Sequence, residues 1–231
     1  MATLLADVNT LRRTFEVFTH FQCPTCYAVH NGDLHLYGYA ESSAVYLTVP
    51  CEGAGLSTRL PVSHLAKVLN TCITNSMARL SFFADHLRVD NEVVYRIEYV
   101  KGKVSPMQFP TVKPCKAFII GLGVMHRFLK LIDETVTLIH RDGLTLQADY
   151  QEIVKSTLTF PEYNDLYVHF GVPLVTKEEW PDECVYTADV MRQLCRTQSF
   201  QTTGVLVVCQ SHCVYTSERN GITLKLCFTN I

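Results

Sequence analysis

One order of elements recurs four times along the chain: an amphipathic helix followed by short strands alternating apolar and polar residues. Four one-sided helices must each be buried against β-structure, so the sequence reads as a duplicated duplication. The first repeat opens with VNTLRRTFEVFTHF (8–21), where Val8, Leu11, Phe15 and Phe18 fall at helical spacing. Two alternating strands follow about an Asn31-Gly32 turn (26–39), and AVYLTV (44–49) supplies a third. In the second repeat, PVSHLAKVLNTCITN (61–75) puts Val62, Leu65, Leu69 and Ile73 on one helical face behind Pro61, ahead of strands at 78–84, 86–91 and 93–100.

The stretch 101–116, KGKVSPMQFPTVKPCK, is rich in Pro and Lys and lacks periodicity, which marks an extended connector between two halves. The expected organisation is an N-terminal domain over 1–100, a connector over 101–114 and a C-terminal domain over 115–231. In the second half, strand AFII leads into the helix LGVMHRFLKLI (122–132) and a hairpin about Asp142-Gly143. A fourth helix, TADVMRQLCRTQS (187–199), which Thr187 can cap, precedes GVLVVCQ, CVYTSE and ITLKLCF. The fold class is α+β: two similar domains, each with two helices packed on antiparallel sheet.

Hydrophobic residues at 48% and charged residues at 18% of 231 describe a globular chain with room for a large core. No apolar run approaches the length of a membrane span and no cleavable leader is visible, so residence in cytosol or nucleus is expected. Several of the 10 cysteines sit inside apolar patterns, as expected of buried thiols in a reducing compartment. Cys23-Pro-Thr-Cys26 and the group Cys209, His212 and Cys213 have the residue types for zinc, but the first is a pair at a strand start, as buried thiols commonly are, and the second is irregularly spaced, so neither a metal nor any other cofactor is expected. The nine histidines form no nucleophile or metal motif, so no catalytic residue is assigned.

A net charge of −2 excludes a conventional basic nucleic-acid binder, so any contact with DNA must come from charge concentrated locally. The helices carry that concentration: Arg12, Arg13, Lys67, Arg127, Lys130, Arg192 and Arg196 occupy positions left polar by the apolar stripes, against few acids. Cations solvate the outer face of any amphipathic helix, but four helices sharing the bias form a surface for phosphates without sequence readout.

These residues resemble a known family, the eukaryotic-type DNA sliding clamps, proliferating cell nuclear antigen (PCNA) and its relatives. LRRTFEVF, NGDLHLYGYAESSAVYLTV, SHLAKVLN, DETVTLIHRDGLTLQA and the linker tetrapeptide MQFP carry the likeness, which spans essentially the whole chain through their joint order. The resemblance implies a duplicated clamp fold whose copies form a ring, helices lining the hole, tethering DNA polymerase and other proteins to sequence-independent duplex DNA in the nucleus. It places Arg12, Arg13, Lys67, Arg127 and Arg196 facing DNA; Lys130 and Arg192 are added from helical geometry. It closes a homotrimer through edge strands contributing Val94, Tyr95, Ile97, Tyr99, Val154, Thr157 and Leu158. A pocket for clamp-binding peptides would use Tyr39, Val45, Met107, Phe109, Pro110, Phe228, Thr229 and Asn230. The short loops and basic connector (Lys101, Lys103, Lys113, Lys116) depart from the usual pattern and suit a divergent, viral or specialised paralogous version working in a host nucleus or a cytoplasmic replication site. Alternatives are a subunit of a heterotrimeric checkpoint-type clamp, a monomeric or dimeric viral processivity subunit, and a non-DNA docking module.

Overall fold

The computed structural model describes residues 1–40, 43–99, 116–132, 134–139, 143–150, 154–160, 183–208 and 212–229. Two compact units divide the chain: Met1–Phe109 with Glu218–Leu224, and Pro110–Ser217 with Lys225–Ile231. Among the described residues no helix is long and apolar enough to cross a membrane.

Unit 1 contains β1 (Ala2–Asp7), α1 (Val8–His20), β2 (Thr25–Asn31), β3 (Asp33–Ala40), β4 (Ser43–Val49), β5 (Glu52–Gly53), β6 (Leu56–Pro61), α2 (Val62–Thr71), β7 (Met77–Phe82), β8 (His86–Asp90) and β9 (Val94–Glu98). Unit 2 continues with β10 (Lys116–Gly121), α3 (Leu122–Leu129), β11 (Thr135–Ile139), β12 (Leu144–Tyr150), β13 (Val154–Phe160), β14 (Glu183–Thr187), α4 (Ala188–Arg196), β15 (Thr203–Val208) and β16 (His212–Arg219), whose last two residues, Glu218 and Arg219, fall in unit 1. The last strand, β17 (Ile222–Thr229), divides between the units at Leu224 and Lys225. Leaving aside the two-residue β5, these described elements spell strand, helix, three strands, four times over.

Within each unit the strand before a helix pairs with the other repeat. In unit 1, β1 runs antiparallel to β7 in the order β5-β1-β7-β8-β9, and β6 runs antiparallel to β2 in the order β6-β2-β3-β4. In unit 2, β10 pairs with β15 and β14 with β11, the latter in the order β13-β12-β11-β14. This exchange makes the two repeats of a unit one folding body, because neither sheet is complete without a strand from the other repeat.

Each strand passes into its helix without a loop, so the helix must satisfy its first N–H elsewhere. The same solution appears four times: Val8 donates to Ser76 O at 2.9 Å, Val62 to Pro24 O at 3.2 Å, Leu122 to Thr202 O at 2.9 Å and Ala188 to Glu134 O at 2.8 Å. Asp7 caps α1 through Thr10 N at 2.8 Å, and Thr187 caps α4 through Val190 N at 3.3 Å. The apolar stripes pack inward: Val8, Leu11, Phe15 and Phe18 on α1, Val62, Leu65 and Leu69 on α2, and Leu122, Met125 and Leu129 on α3 are buried. Burying several such side chains at about 1.5–3 kcal/mol each holds these short helices in place. Ile73 departs from its expected position on the α2 face. The helix ends at Thr71, Cys72 turns extended (φ −69°, ψ 156°), and Ile73 is left 42% exposed. Gly32 sits at φ 86° between β2 and β3, the left-handed conformation the Asn31-Gly32 turn predicts.

Candidate nucleic-acid interface

α1 packs against α2 in unit 1 and α3 against α4 in unit 2, so each unit carries a helix pair. α2 and α3 match residue for residue in burial. From Pro61 to Asn70 and from Gly121 to Lys130, buried, half-buried and exposed positions follow one another in the same order. Lys67 and Arg127 therefore occupy one and the same exposed position, and Asn70 and Lys130 another. Arg12 and Arg192 match in the same way, each half-buried and five residues beyond its helix cap (7 to 12, 187 to 192).

The seven cations fall into two groups. Arg13, half-buried, and Lys67, Arg127, Lys130 and Arg196, all exposed, make no side-chain hydrogen bond or ion pair among the described residues. Arg12 and Arg192 are fully engaged. Arg12 donates from Nε to Leu69 O at 2.8 Å and from its terminal nitrogens to Asn70 O at 3.2 Å, Cys72 O at 2.6 Å and Thr74 Oγ1 at 3.3 Å. Arg192 donates to Leu129 O at 3.3 Å and to Ile132 O, and pairs with Asp189 at 2.8 Å. Both guanidiniums stop the C-terminus of the neighbouring helix, where carbonyls lack intrahelical partners and the helix dipole favours a cation.

Acids on the helices are few. Asp7 is committed to capping, Asp189 to Arg192, and Glu16 stands half-buried on α1. The unpaired exposed charge of the helix pairs is consequently positive, carried by Lys67, Arg127, Lys130 and Arg196.

The strands expected to join subunits are edges: among the described residues β9 pairs only with β8, and β13 only with β12. Val94 is 56% exposed, Tyr95 and Leu158 are half-buried and Thr157 is exposed. Ile97 and Tyr99 are buried within unit 1, and Tyr99 donates its hydroxyl to Phe83 O at 2.7 Å. Thr71 Oγ1 donates to Tyr95 Oη at 2.9 Å, tying β9 to the end of α2. The side chain of Val154 lies outside the described set, although its backbone pairs with Tyr150.

Of the expected peptide pocket, Tyr39 is half-buried on β3, where burial and the neighbouring Tyr37 and Tyr27 push its hydroxyl up to about 12. Val45 on β4 and Phe228 on β17 are buried, and Thr229 is exposed. Met107, Phe109, Pro110 and Asn230, like the connector 101–114, lie outside the described residues.

Cys23 and Cys26 are buried thiols. Burial pushes Cys23 up to about 11 and raises Cys26 further. Among the described residues no three His, Cys, Asp or Glu side chains gather in a metal-binding group.

No protein-family model matches the chain. No curated protein matches it either. Among solved structures, the proliferating cellular nuclear antigen of Entamoeba histolytica aligns with 100% of this chain and 98% of its own, at TM-score 0.75 and 9% sequence identity. With so little identity the likeness is one of backbone: the chain has the duplicated α+β clamp fold of proliferating cell nuclear antigen.

Proposed function

We propose that the chain is a DNA sliding clamp, a non-catalytic ring that encircles duplex DNA and tethers a DNA polymerase and other proteins carrying clamp-binding peptides. The observation that carries this reading is the recurrence of an exposed cation at one helix position in both halves, Lys67 and Arg127, on a PCNA-type fold. Spaced cations that make no sequence-reading contacts attract phosphates by releasing counterions, so the complex is loose, salt-sensitive and able to slide. Three copies close the ring through the edges of β9 and β13, removing the unpaired strand edges that otherwise invite aggregation. Its place of work is where DNA is replicated, the nucleus or a cytoplasmic replication site.

Topology tests the reading. The protein loaded on nicked circular DNA is expected to stay bound and to be lost when the circle is cut, with light scattering giving the mass of three chains at micromolar concentration. Equal retention on circular and linear DNA would reject encirclement, and a single-chain mass would reject the ring.

A further inference from the structure

Two of the helix arginines, Arg12 and Arg192, differ from the rest in what they touch. Arg12 on α1 reaches the carbonyls of Leu69 and Cys72 at the end of α2, and Arg192 on α4 reaches those of Leu129 and Ile132 at the end of α3. Each acceptor pair lies at matched places, since Leu69 and Leu129 are the seventh residue after the first of their helices (62 to 69, 122 to 129). The arrangement thus occurs twice, once per unit, on sequences sharing almost nothing else: LRRTF surrounds Arg12 and VMRQL surrounds Arg192.

α2 and α3 are the helices that need such help. Neither has a side-chain N-cap, both are short, and each presents an exposed cation, Lys67 or Arg127. A guanidinium is suited to the task because its planar fork carries five donors and keeps its charge when half-buried.

We propose that Arg12 and Arg192 are positioning residues that do not contact DNA: each locks the C-terminal turn of the short helix in its unit and fixes the direction in which Lys67 and Asn70, or Arg127 and Lys130, project. The phosphate contacts of one chain then fall to Arg13, Lys67, Arg127, Lys130 and Arg196. This division of labour rests on the clamp reading, and it reassigns Arg12 and Arg192 from contact to support.

The test sets salt dependence of binding beside stability, using the full chain and a mixed-sequence DNA duplex. Each phosphate contact contributes about 0.9 to the slope of log affinity against log salt. Lys67→Gln and Arg127→Gln are each expected to reduce that slope by about this amount and to leave the melting temperature unchanged. Arg12→Gln is expected to keep the slope, to lower the melting temperature by roughly 5 °C and to speed amide exchange at Cys72 and Ile73, with Arg192→Gln reproducing the pattern at the end of α3. Arg12→Lys should recover less than half of the lost melting temperature, because a single ammonium cannot span the set of acceptors. A slope reduced by Arg12→Gln as much as by Lys67→Gln, with melting unchanged, would overturn the proposal and leave the clamp reading intact. Slopes untouched by Lys67→Gln and Arg127→Gln would instead count against the clamp reading, while melting and exchange still decide whether Arg12 locks α2.

Discussion

Lys67 on α2 and Arg127 on α3 stand at the same exposed position of two helices whose burial runs in parallel from first residue to last. Their neighbours differ, His64 against Val124 and Asn70 against Lys130, so what the halves share is a surface cation and the buried stripe beneath it. Charge reversal at both positions, Lys67→Glu with Arg127→Glu, is expected to abolish retention on circular DNA and stimulation of a polymerase, with far-UV circular dichroism and melting unchanged. Surface substitutions of this kind stay within about 0.5 kcal/mol in stability. Unchanged retention would remove DNA from the helix faces. Arg12→Glu is a poor companion in such a test, because it puts a carboxylate against the carbonyls of Leu69, Asn70 and Cys72.

The elements that periodicity could reveal were those whose pattern is local. Val8, Leu11, Phe15 and Phe18 announce α1, and Gly32 and Gly143, both at positive φ, mark the two hairpin turns. Strands β1, β6 and β14 are hard to see in the sequence because each changes from the two-residue period to the helical one across a single peptide bond, at Asp7–Val8, Pro61–Val62 and Thr187–Ala188, and lacks the continuous apolar run that marks β10. The end of α2 was equally hidden, since Ile73 continues the apolar stripe that the backbone abandons at Cys72. Arg12 could be read from sequence only as a cation on a polar face. Its acceptors lie at Leu69, Asn70 and Cys72, a contact between repeats that the spacing of residues along α1 does not encode.

Ring closure makes its own prediction. Val94 and Thr157 are exposed residues on the unpaired edges of β9 and β13. Acidic residues placed there together, Val94→Asp with Thr157→Asp, are expected to shift the solution mass from three chains toward one without lowering the secondary-structure content, since like charges across a strand joint repel. A mass still equal to three chains would place the subunit contact elsewhere.

Gly204 on β15 tests close packing in unit 2. A Cβ there would come within 2.5 Å of the Tyr215 ring and 2.6 Å of the Thr216 carbonyl oxygen. The backbone oxygen cannot swing aside as a side chain can, so Gly204→Ala is expected to cost about 1–3 kcal/mol. Denaturant unfolding should show this as a lower midpoint, and an unchanged midpoint would contradict the strand pairing of β15 with β16.

Buried thiols make the fold sensitive to alkali. Burial pushes Cys23 and Cys227 up to about 11 and Cys195 up to about 12, whereas unfolding returns each to the ordinary thiol value of about 8.5. Between those values the unfolded chain has released protons that the folded chain still holds, so the folded state loses stability as pH rises. The contribution is fully present below about pH 8.5 and declines from there toward pH 11–12. Melting temperatures measured from pH 7 to 10.5 are expected to hold steady at first and then fall, and Cys23→Ser, which removes one such group, should flatten the fall relative to its own value at pH 7. Native protein at pH 8 should also react slowly with iodoacetamide at these positions, the thiolate being the nucleophile and scarce there. Rapid modification of Cys23 in the folded state would show that its thiol is neither buried nor held protonated.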